Sequence, residues 1–449
     1  MPDNVSRRDF LRGSAASVGA LSMAGAAGAW PWSRRRKPNI IFILTDDLGY
    51  GDLGCFGQTK IRTPSLDRMS AQGVRFTQAY SGSTVCAPSR CTLMTGLHTG
   101  HCRVRDNFPR TPLLPENLTV AEHLKSAGYA TALMGKWGLG EPDTTGIPNR
   151  KGFDRFVGFL NQAVAHTYYP EHIWRNEEQV APGAYTTDIF SADALQFIRE
   201  NADNPFFLYL AYQTPHAALE VPEDSLAEYL DAPWAQSEGG KRNAAYAAMI
   251  TRMDADIGRM FALLAELGID EDTIVFFTSD NGPSLEGGQE GVFDSNGPYR
   301  GSKRDLYEGG IRVPTIVRWP GKVAPGTESD QPWAFWDFFP TAADIAGAPL
   351  PAGCALDGIS VLPAILGKRQ KQQHEYLYWE WKGQMAARAG DWKAVWRNRD
   401  EEMELYNLSV DPAEEHNVAA ANGAVVGRMV SVMTEAHTTS DVWPLPEEA

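Results

Sequence analysis

Apolar runs and amphipathic stretches alternate along the first three quarters of the chain. Residues 38–44, 205–211 and 273–279 are apolar at nearly every position. A strand that is apolar on both faces belongs in a parallel sheet covered on both sides. The pattern predicts further strands at 74–76, 129–135 and 313–319, and helices at 65–72, 119–126, 189–201, 243–267 and 338–346. This alternation predicts an α/β fold, with a large, mostly parallel sheet sandwiched by helices.

The pattern changes after Gly358. Short apolar segments at 377–382, 385–388 and 392–397 predict an antiparallel sheet, a turn-rich stretch is predicted at 405–412, and a last helix at 423–437. We therefore expect a large domain over residues 37–358 and a small C-terminal α+β domain, carrying the antiparallel sheet, over residues 359–449.

The first 36 residues are predicted to be a targeting segment rather than part of the folded domain. Ser6-Arg7-Arg8-Asp9-Phe10-Leu11 resembles a twin-arginine export signal, residues 13–30 are uncharged, and Ala27-Gly28-Ala29 fits a cleavage site. The uncharged stretch is too short and too weakly apolar for a stable membrane span. The resemblance implies a signal peptide followed by a basic mature N-terminus, the twin-arginine translocase as a partner, and a periplasmic or secreted protein. The alternative is a disordered basic tail.

The chain is acidic, with a net charge of −15 over 449 residues. This charge argues against nucleic acid or an acidic membrane as the main partner. It would also repel an anionic substrate, so that such a substrate requires local cations or a metal. Five cysteines are present, without zinc-like spacing. We expect four of them to be packing residues, namely Cys55, Cys91, Cys102 and Cys354. Outside the cytoplasm, the alternative is one disulfide among them.

Acidic motifs follow two of the predicted strands. Asp46-Asp47 comes after the strand at 38–44, and Asp280-Asn281 comes after the strand at 273–279. The carboxyl ends of parallel strands meet at one edge of a sheet. Three carboxylates and an amide oxygen suit a hard cation, Ca²⁺ or Mg²⁺, rather than zinc. The alternatives are helix capping and an Asx turn, but two such motifs after buried strands favour a shared cation site.

The most specific signature is Cys86-Ala87-Pro88-Ser89-Arg90, followed by Leu93-Met94-Thr95-Gly96. It resembles the C-x-P-S-R and L-x-T-G motifs of the type I, formylglycine-dependent sulfatases, which belong to the alkaline-phosphatase superfamily. The resemblance implies that a formylglycine-generating or anaerobic sulfatase-maturing enzyme converts Cys86 to formylglycine (3-oxoalanine). In that family one oxygen of the hydrated aldehyde attacks the sulfur of a sulfate ester, and the other later expels the sulfate. The alternative is a buried cysteine beside a turn proline and an N-cap serine.

The same resemblance assigns roles to the other candidates. It implies that the metal ligands are Asp46, Asp47, Asp280, Asn281 and modified Cys86. It implies that Arg90 holds the diol, that Lys136 binds the sulfate, and that Lys303 contacts the sulfate and the leaving oxygen. His216, in a Thr-Pro-His segment, would protonate the departing alcohol. Taken singly, each has an ordinary alternative: a surface arginine, a solvated lysine or a turn histidine.

One position departs from the family pattern. The commonest motif around Lys136 is G-K-W-H-L-G, but this chain has Gly138 in place of the histidine. That histidine is thought to trigger sulfate release. Several sulfatases with glycine here carry an A-H-x-Y-Y-P stretch, which resembles residues 165–170 of this chain. His166 is therefore a candidate for the missing base or for a substrate-binding residue. The alternative is a structural loop histidine.

The resemblance therefore predicts a sulfuric ester hydrolase acting on sulfate monoesters, on a sulfated carbohydrate and also on aryl sulfates. One alternative is a phosphate or phosphonate ester hydrolase of the same superfamily. The other is a catalytically weak protein that binds sulfated glycans. Six aromatic residues are candidates for a sugar-stacking cleft, most of them equally suited to the core: Trp137, Tyr168, Tyr169, Trp174, Tyr299 and Trp381.

Overall fold

The computed structural model describes residues 37–237, 239–285 and 291–445, so the predicted export signal lies outside the described residues. The strands of the large sheet are β1 (Asn39–Thr45), β2 (Val74–Phe76), β4 (Ala130–Lys136), β5 (Arg155–Phe159), β6 (Ile173–Arg175), β7 (Glu178–Val180), β8 (Phe206–Ala211), β9 (Thr273–Ser279), β10 (Thr315–Arg318) and β11 (Thr327–Ser329). Two short strands, β3 (Ala79–Tyr80) and β12 (Trp333–Ala334), pair with each other.

The large sheet has the order β11-β2-β10-β9-β1-β8-β4-β5-β6-β7. Its five central strands, from β9 to β5, are parallel, as the sequence predicts. Among the described strands of the large sheet, antiparallel pairing occurs only towards its two edges, where β10 runs against β9 and β6 against β5. The predicted α/β class, with a mostly parallel sheet, is confirmed. Because parallel strands end at the same edge, the sheet places the ends of β1, β4, β8 and β9 side by side.

Helices cover both faces of the sheet. They are α1 (Pro64–Gln72), α2 (Cys86–Thr95), α3 (Val120–Ser126), α4 (Thr186–Glu200), α5 (Glu223–Leu230), α6 (Gly240–Glu266), α7 (Glu308–Ile311), α8 (Phe338–Ala346) and α9 (Leu362–Ile365). Phe42 of β1 packs in the core that contains residues of α2, α3 and α8, whereas Ile41 and Ile43 pack in the core that contains residues of α1, α4 and α6. The continuous apolar run of β1 thus reflects two buried faces.

The C-terminal part forms a four-stranded antiparallel sheet of β13 (Leu377–Trp381), β14 (Gln384–Ala389), β15 (Trp392–Trp396) and β16 (Glu404–Asn407), followed by α10 (Gly423–Ala436). The turn predicted from residue 405 is wrong at its start, because β16 pairs with β15. The apolar residues of β16 are buried in the cores on either side of this sheet. This burial outweighs the tendency of the residues that follow to form a turn. The domain boundary at residue 358 stays a prediction.

The remaining expectations concern cysteines and membrane spans. All five cysteines are free thiols, and Cys91 and Cys102 lie in the main core. Within the described ranges, the structure contains no helix with the length and apolarity needed to cross a bilayer.

A buried ion pair ties the chain before β13 to the start of α8. The Nε2 atom of His374 lies 2.7 Å from Oδ1 of Asp337, and Asp357 also faces the imidazole. Burial opposes protonation, but the attraction of Asp337 outweighs it and raises the pKa of His374 above its ordinary 6.5. The stabilisation is therefore complete below the pKa of the unfolded chain and is lost as the pH rises through the native value.

We expect His374→Gln to lower the free energy of unfolding by about 1.5–3 kcal/mol near pH 5.5, and by less near pH 8.5, because only the charged imidazole makes the strong hydrogen bond. Urea unfolding at the two pH values measures this difference. An equal loss at both would show that the histidine stabilises the fold by packing alone.

Candidate active site

The two acidic motifs meet at one edge of the sheet. Thr45, at the end of β1, is paired with Ser279, at the end of β9, so the residues that follow the two strands are neighbours. The backbone N–H of Asp47 donates to Oδ1 of Asp280 at 3.2 Å, and Nδ2 of Asn281 donates to Oδ1 of Asp47 at 2.8 Å. The structure thus brings Asp46, Asp47, Asp280 and Asn281 together as the strand pattern predicts.

Cations surround Asp46. The ammonium of Lys136, the last residue of β4, donates to its Oδ2 atom, and a guanidinium nitrogen of Arg90 lies 3.6 Å from the same oxygen. Burial opposes ionisation of Asp46, but Lys136, His216 and Arg90 together hold its pKa well below the usual range. Asp46 is therefore a carboxylate at every physiological pH, although its side chain is completely buried.

Asp47 has a cation of its own. Nζ of Lys303 lies 2.7 Å and 2.8 Å from its two carboxylate oxygens, and Nε2 of His216 lies 3.5 Å from Oδ2. Burial again opposes ionisation, and the charges of Lys303 and His216 outweigh it and lower the pKa of Asp47. Lys303 lies in the loop between β9 and α7 and His216 follows β8, so two separate segments converge on this carboxylate.

Arg90 is a second fully buried cation of the site, beside Lys136. It lies one helical turn after Cys86 in α2, and its Nε and NH2 atoms donate to Oδ2 of Asp280 at 3.1 Å and 2.7 Å. Its NH1 atom donates to the backbone carbonyl of Lys136 at 2.9 Å. Burial and the neighbouring Asp46 nevertheless raise the pKa of Asp280 to about 7, as expected where several carboxylates crowd together.

The residues fit a divalent cation. Asp46, Asp47, Asp280 and Asn281 offer oxygen donors only, which hard cations such as Ca²⁺ and Mg²⁺ prefer. Oδ1 of Asn281 is buried and has no hydrogen-bond partner among the described residues, although its amide nitrogen has two acceptors. A buried amide oxygen without a donor is costly, and a cation would satisfy it.

Cys86 begins helix α2 and lines the cavity above the acidic motifs. Its Sγ atom lies 3.4 Å from Oδ1 of Asp46, and the side chain is 2 % exposed. Burial and the Asp46 carboxylate raise the pKa of the thiol to about 12. The cysteine of the sequence signature is therefore in contact with Asp46, one of the predicted metal ligands.

Two histidines stack at the mouth of the site. Nδ1 of His216 lies 2.5 Å from the carbonyl oxygen of Ala217, so this nitrogen carries the hydrogen and Nε2 faces Asp47. Burial outweighs the nearby carboxylates and lowers the pKa of His216. The ring of His166 stacks on that of His216, with centroids 4.5 Å apart, although His166 itself is exposed. The structure thus places both predicted histidines in the cavity.

Gln162 is a cavity residue that the sequence does not reveal. A Cβ atom at Gly138 would lie 2.0 Å from Nε2 of Gln162, so the glutamine occupies the space beside the glycine. Its Nε2 and Oε1 atoms are buried and have no hydrogen-bond partners within the described ranges. The indication in the sequence is Gly138 itself, because its missing side chain leaves space for another polar group. Gln162 lies in the same loop as His166 but has no motif of its own.

The comparisons with known proteins agree with this geometry. Residues 38–348 match the Sulfatase family, and residues 297–437 match a family described as N-sulphoglucosamine sulphohydrolase, C-terminal. The steryl-sulfatase of Rattus norvegicus is 32% identical over 76% of this chain and 72% of its own length. The N-acetylgalactosamine-6-sulfatase of Canis lupus familiaris is 33% identical over 85% of this chain and 76% of its own length.

A solved structure, that of Ps i-CgsB in complex with k-i-k-neocarrahexaose, has the same fold. It has a TM-score of 0.79 and 29% sequence identity, and the alignment covers 89% of this chain and 92% of that one. The match of the first family spans well over half of the chain and includes every residue of the site described above. The chain therefore belongs to the sulfatase family.

Proposed function

We propose that this enzyme hydrolyses sulfate monoesters carried by a carbohydrate, with a formylglycine made from Cys86 as the nucleophile. The observation that carries the proposal is the contact of Cys86, at the start of α2, with Asp46 in a cluster of three carboxylates, two lysines and an arginine. A carbohydrate is favoured over a small aryl group because one similar protein is an N-acetylgalactosamine-6-sulfatase and a similar structure was solved in complex with k-i-k-neocarrahexaose.

We assign the cation site to Asp46, Asp47, Asp280, Asn281 and the modified Cys86, with Ca²⁺ as the first candidate and Mg²⁺ as the second. When bound, the cation supplies positive charge next to the transferred sulfate. The protein residues around it remain fixed by their own contacts, since Arg90 is held by Asp280 and by the carbonyl of Lys136.

The cationic side chains bind the sulfate. Lys303 lines the cavity, and Lys136 and Arg90 lie beneath it. These charges are preorganised by buried carboxylates, so they stabilise charge on the sulfate oxygens without reorganisation. The three cations balance the three carboxylates, so the site is neutral within a chain with a net charge of −15, and a bound divalent cation would make it positive.

His216 is suited to protonate the leaving alcohol. Its Nδ1–H is held by the carbonyl of Ala217, which directs Nε2 into the site beside Asp47. The lowered pKa of His216 makes its charged form a stronger acid, which donates the Nε2 proton to the departing oxygen as a general acid does.

Gln162 lies beside Gly138, where the histidine is missing, and His166 lines the same cavity. We expect His166→Ala to slow single-turnover sulfate release by about 100-fold if the imidazole is the base, and Gln162→Ala to slow it by up to about tenfold through the loss of one hydrogen bond to the bound substrate. His416→Ala is the control, because this histidine side chain is 78% exposed. A loss of affinity without a slower release would make His166 a substrate-binding residue, and no change in either would remove it from the site.

Turnover of 4-nitrophenyl sulfate against 4-nitrophenyl phosphate tests the proposed function. A larger kcat/KM for the sulfate supports it. Preference for the phosphate would favour an ester hydrolase of the other class, and binding of sulfated glycans without turnover of either compound would indicate a binding protein.

We also propose that a maturation enzyme modifies Cys86 and that the twin-arginine translocase exports the folded protein to the periplasm or beyond. Ser6–Leu11 supports the second proposal by its resemblance to the twin-arginine signal. Fractionation of cells that produce the full chain tests it.

A further inference from the structure

A second cavity opens beside the catalytic one, and the two share a wall. The catalytic cavity has a volume of about 190 Å³ and its neighbour about 240 Å³. The shared wall consists of Asp106, Phe108, Trp381 and Lys382. Each cavity is smaller than an ordinary ligand pocket of roughly 300–1,000 Å³, whereas the two together fall within that range. The pair therefore has room for a ligand that extends beyond the sulfated unit.

Phe108, Trp381 and Trp443 line the second cavity, and hydrogen bonds hold the two indole rings in place. Phe108 is 60% exposed, the largest exposure of an aromatic side chain among the described residues. The indole N–H of Trp381 donates to Oδ1 of Asp106 at 3.0 Å, and that of Trp443 donates to the carbonyl of Arg103 at 3.1 Å. Rigid flat rings of this kind lose little entropy when they pack against the C–H face of a sugar.

An exposed cation lies over the ring of Trp381. The ammonium of Lys382 is 5.1 Å from the centroid of the Trp381 ring and 3.3 Å from Oδ2 of Asp106, and the lysine side chain is 60% exposed. Asp106 also accepts the indole N–H, so it orients both side chains of the shared wall. An ammonium at this exposure remains open to an anionic group of a ligand.

We propose that the second cavity binds the neighbouring unit of a sulfated oligosaccharide, with Phe108 and Trp443 packing against the sugar ring and Lys382 pairing with its sulfate or carboxylate. This proposal rests on the proposed function, because the first unit must present its sulfate to Cys86. It makes the preferred substrate an anionic oligosaccharide rather than a single sulfated sugar. Of the six aromatic candidates for sugar contact named from the sequence, Trp381 is the one that lines both cavities.

Inhibition of 4-nitrophenyl sulfate turnover tests the second cavity. The competitors are mono-, di- and tetrasaccharides prepared from chondroitin sulfate, heparin and ι-carrageenan. For the unaltered protein, we expect the inhibition constant to fall at least about tenfold from mono- to tetrasaccharide for one or more of these glycans. Phe108→Ala and Lys382→Ala should each remove most of this dependence on length. Both side chains are exposed, so both variants should fold.

Lys322→Ala is the matched control, because this exposed lysine follows β10 at the opposite edge of the sheet and should leave the length dependence intact. Absence of length dependence for all three glycans, or its persistence in both variants, would overturn the second subsite. Failure to turn over 4-nitrophenyl sulfate would instead count against the proposed function. Calorimetric titration of the same oligosaccharides onto Cys86→Ala protein then decides the subsite without turnover: tighter binding of longer chains supports it, and equal binding overturns it.

Discussion

Replacing Cys86 by alanine should reduce turnover of 4-nitrophenyl sulfate by at least about 10⁴-fold, which is the scale of losing a covalent nucleophile. The fold should survive. The substitution removes one sulfur atom and its 3.4 Å contact with Asp46, and it leaves Arg90, Lys136 and Lys303 with their carboxylate partners. We therefore expect the thermal midpoint to change little while activity disappears. Steady-state kinetics and thermal unfolding of the same preparation measure both effects.

Cys91→Ala is the matched control. Cys91 lies in the same helix, is completely buried in the main core and belongs to no part of the site. The free energy of unfolding of this variant should fall by about 1 kcal/mol, because a small core side chain is truncated. Its turnover should be unchanged. If Cys86→Ala retained more than a tenth of the original activity, Cys86 would not be the source of the nucleophile.

Removing the guanidinium of Arg90 should have the largest effect on stability. Its nitrogen atoms neutralise Asp280 and satisfy the carbonyl of Lys136, and none of these groups has access to water. Breaking a buried ion pair on one side costs about 3–5 kcal/mol, because the remaining charge is left uncompensated. We therefore expect Arg90→Ala to lower the free energy of unfolding by about that amount and to abolish turnover. Arg90→Lys should not restore either, since lysine lacks the planar fork.

The exposed pair between Arg199 and Glu266 provides the control. Two guanidinium nitrogens of Arg199 donate to the two carboxylate oxygens of Glu266, at 2.9 Å and 3.3 Å, but both side chains are more than half exposed. Arg199→Ala should leave both the urea midpoint and the activity unchanged within error. If Arg90→Ala were as harmless as Arg199→Ala, the buried charge network would not hold the site together.

The sequence predicts the site well where residues follow strands. Asp46-Asp47 and Asp280-Asn281 each come directly after an apolar run, and pairing of those two runs is enough to make the motifs neighbours. Lys136 and His216 follow from the same rule, since β4 and β8 end at the same edge. The sequence motif at Cys86 places Arg90 one helical turn away, and the structure has both in α2.

The remainder depends on tertiary contacts that no local pattern encodes. Gln162 reaches the space beside Gly138 because its loop folds over the end of β4, and neither residue alone indicates the other. Strand β16 reads as a turn until β15 is present to pair with it. The second cavity joins Phe108, Trp381 and Trp443 from three distant segments, so their separation in sequence hides their shared surface.

Mass spectrometry of the tryptic peptide that contains Cys86, from protein produced together with its maturation enzyme, tests the central claim most directly. The conversion of a CH₂SH side chain to an aldehyde predicts a loss of about 18 Da from that peptide and no change in the peptides of the other cysteines. An unmodified Cys86 in protein that hydrolyses sulfate esters, from cells in which a control substrate of the maturation enzyme is converted, would contradict the account.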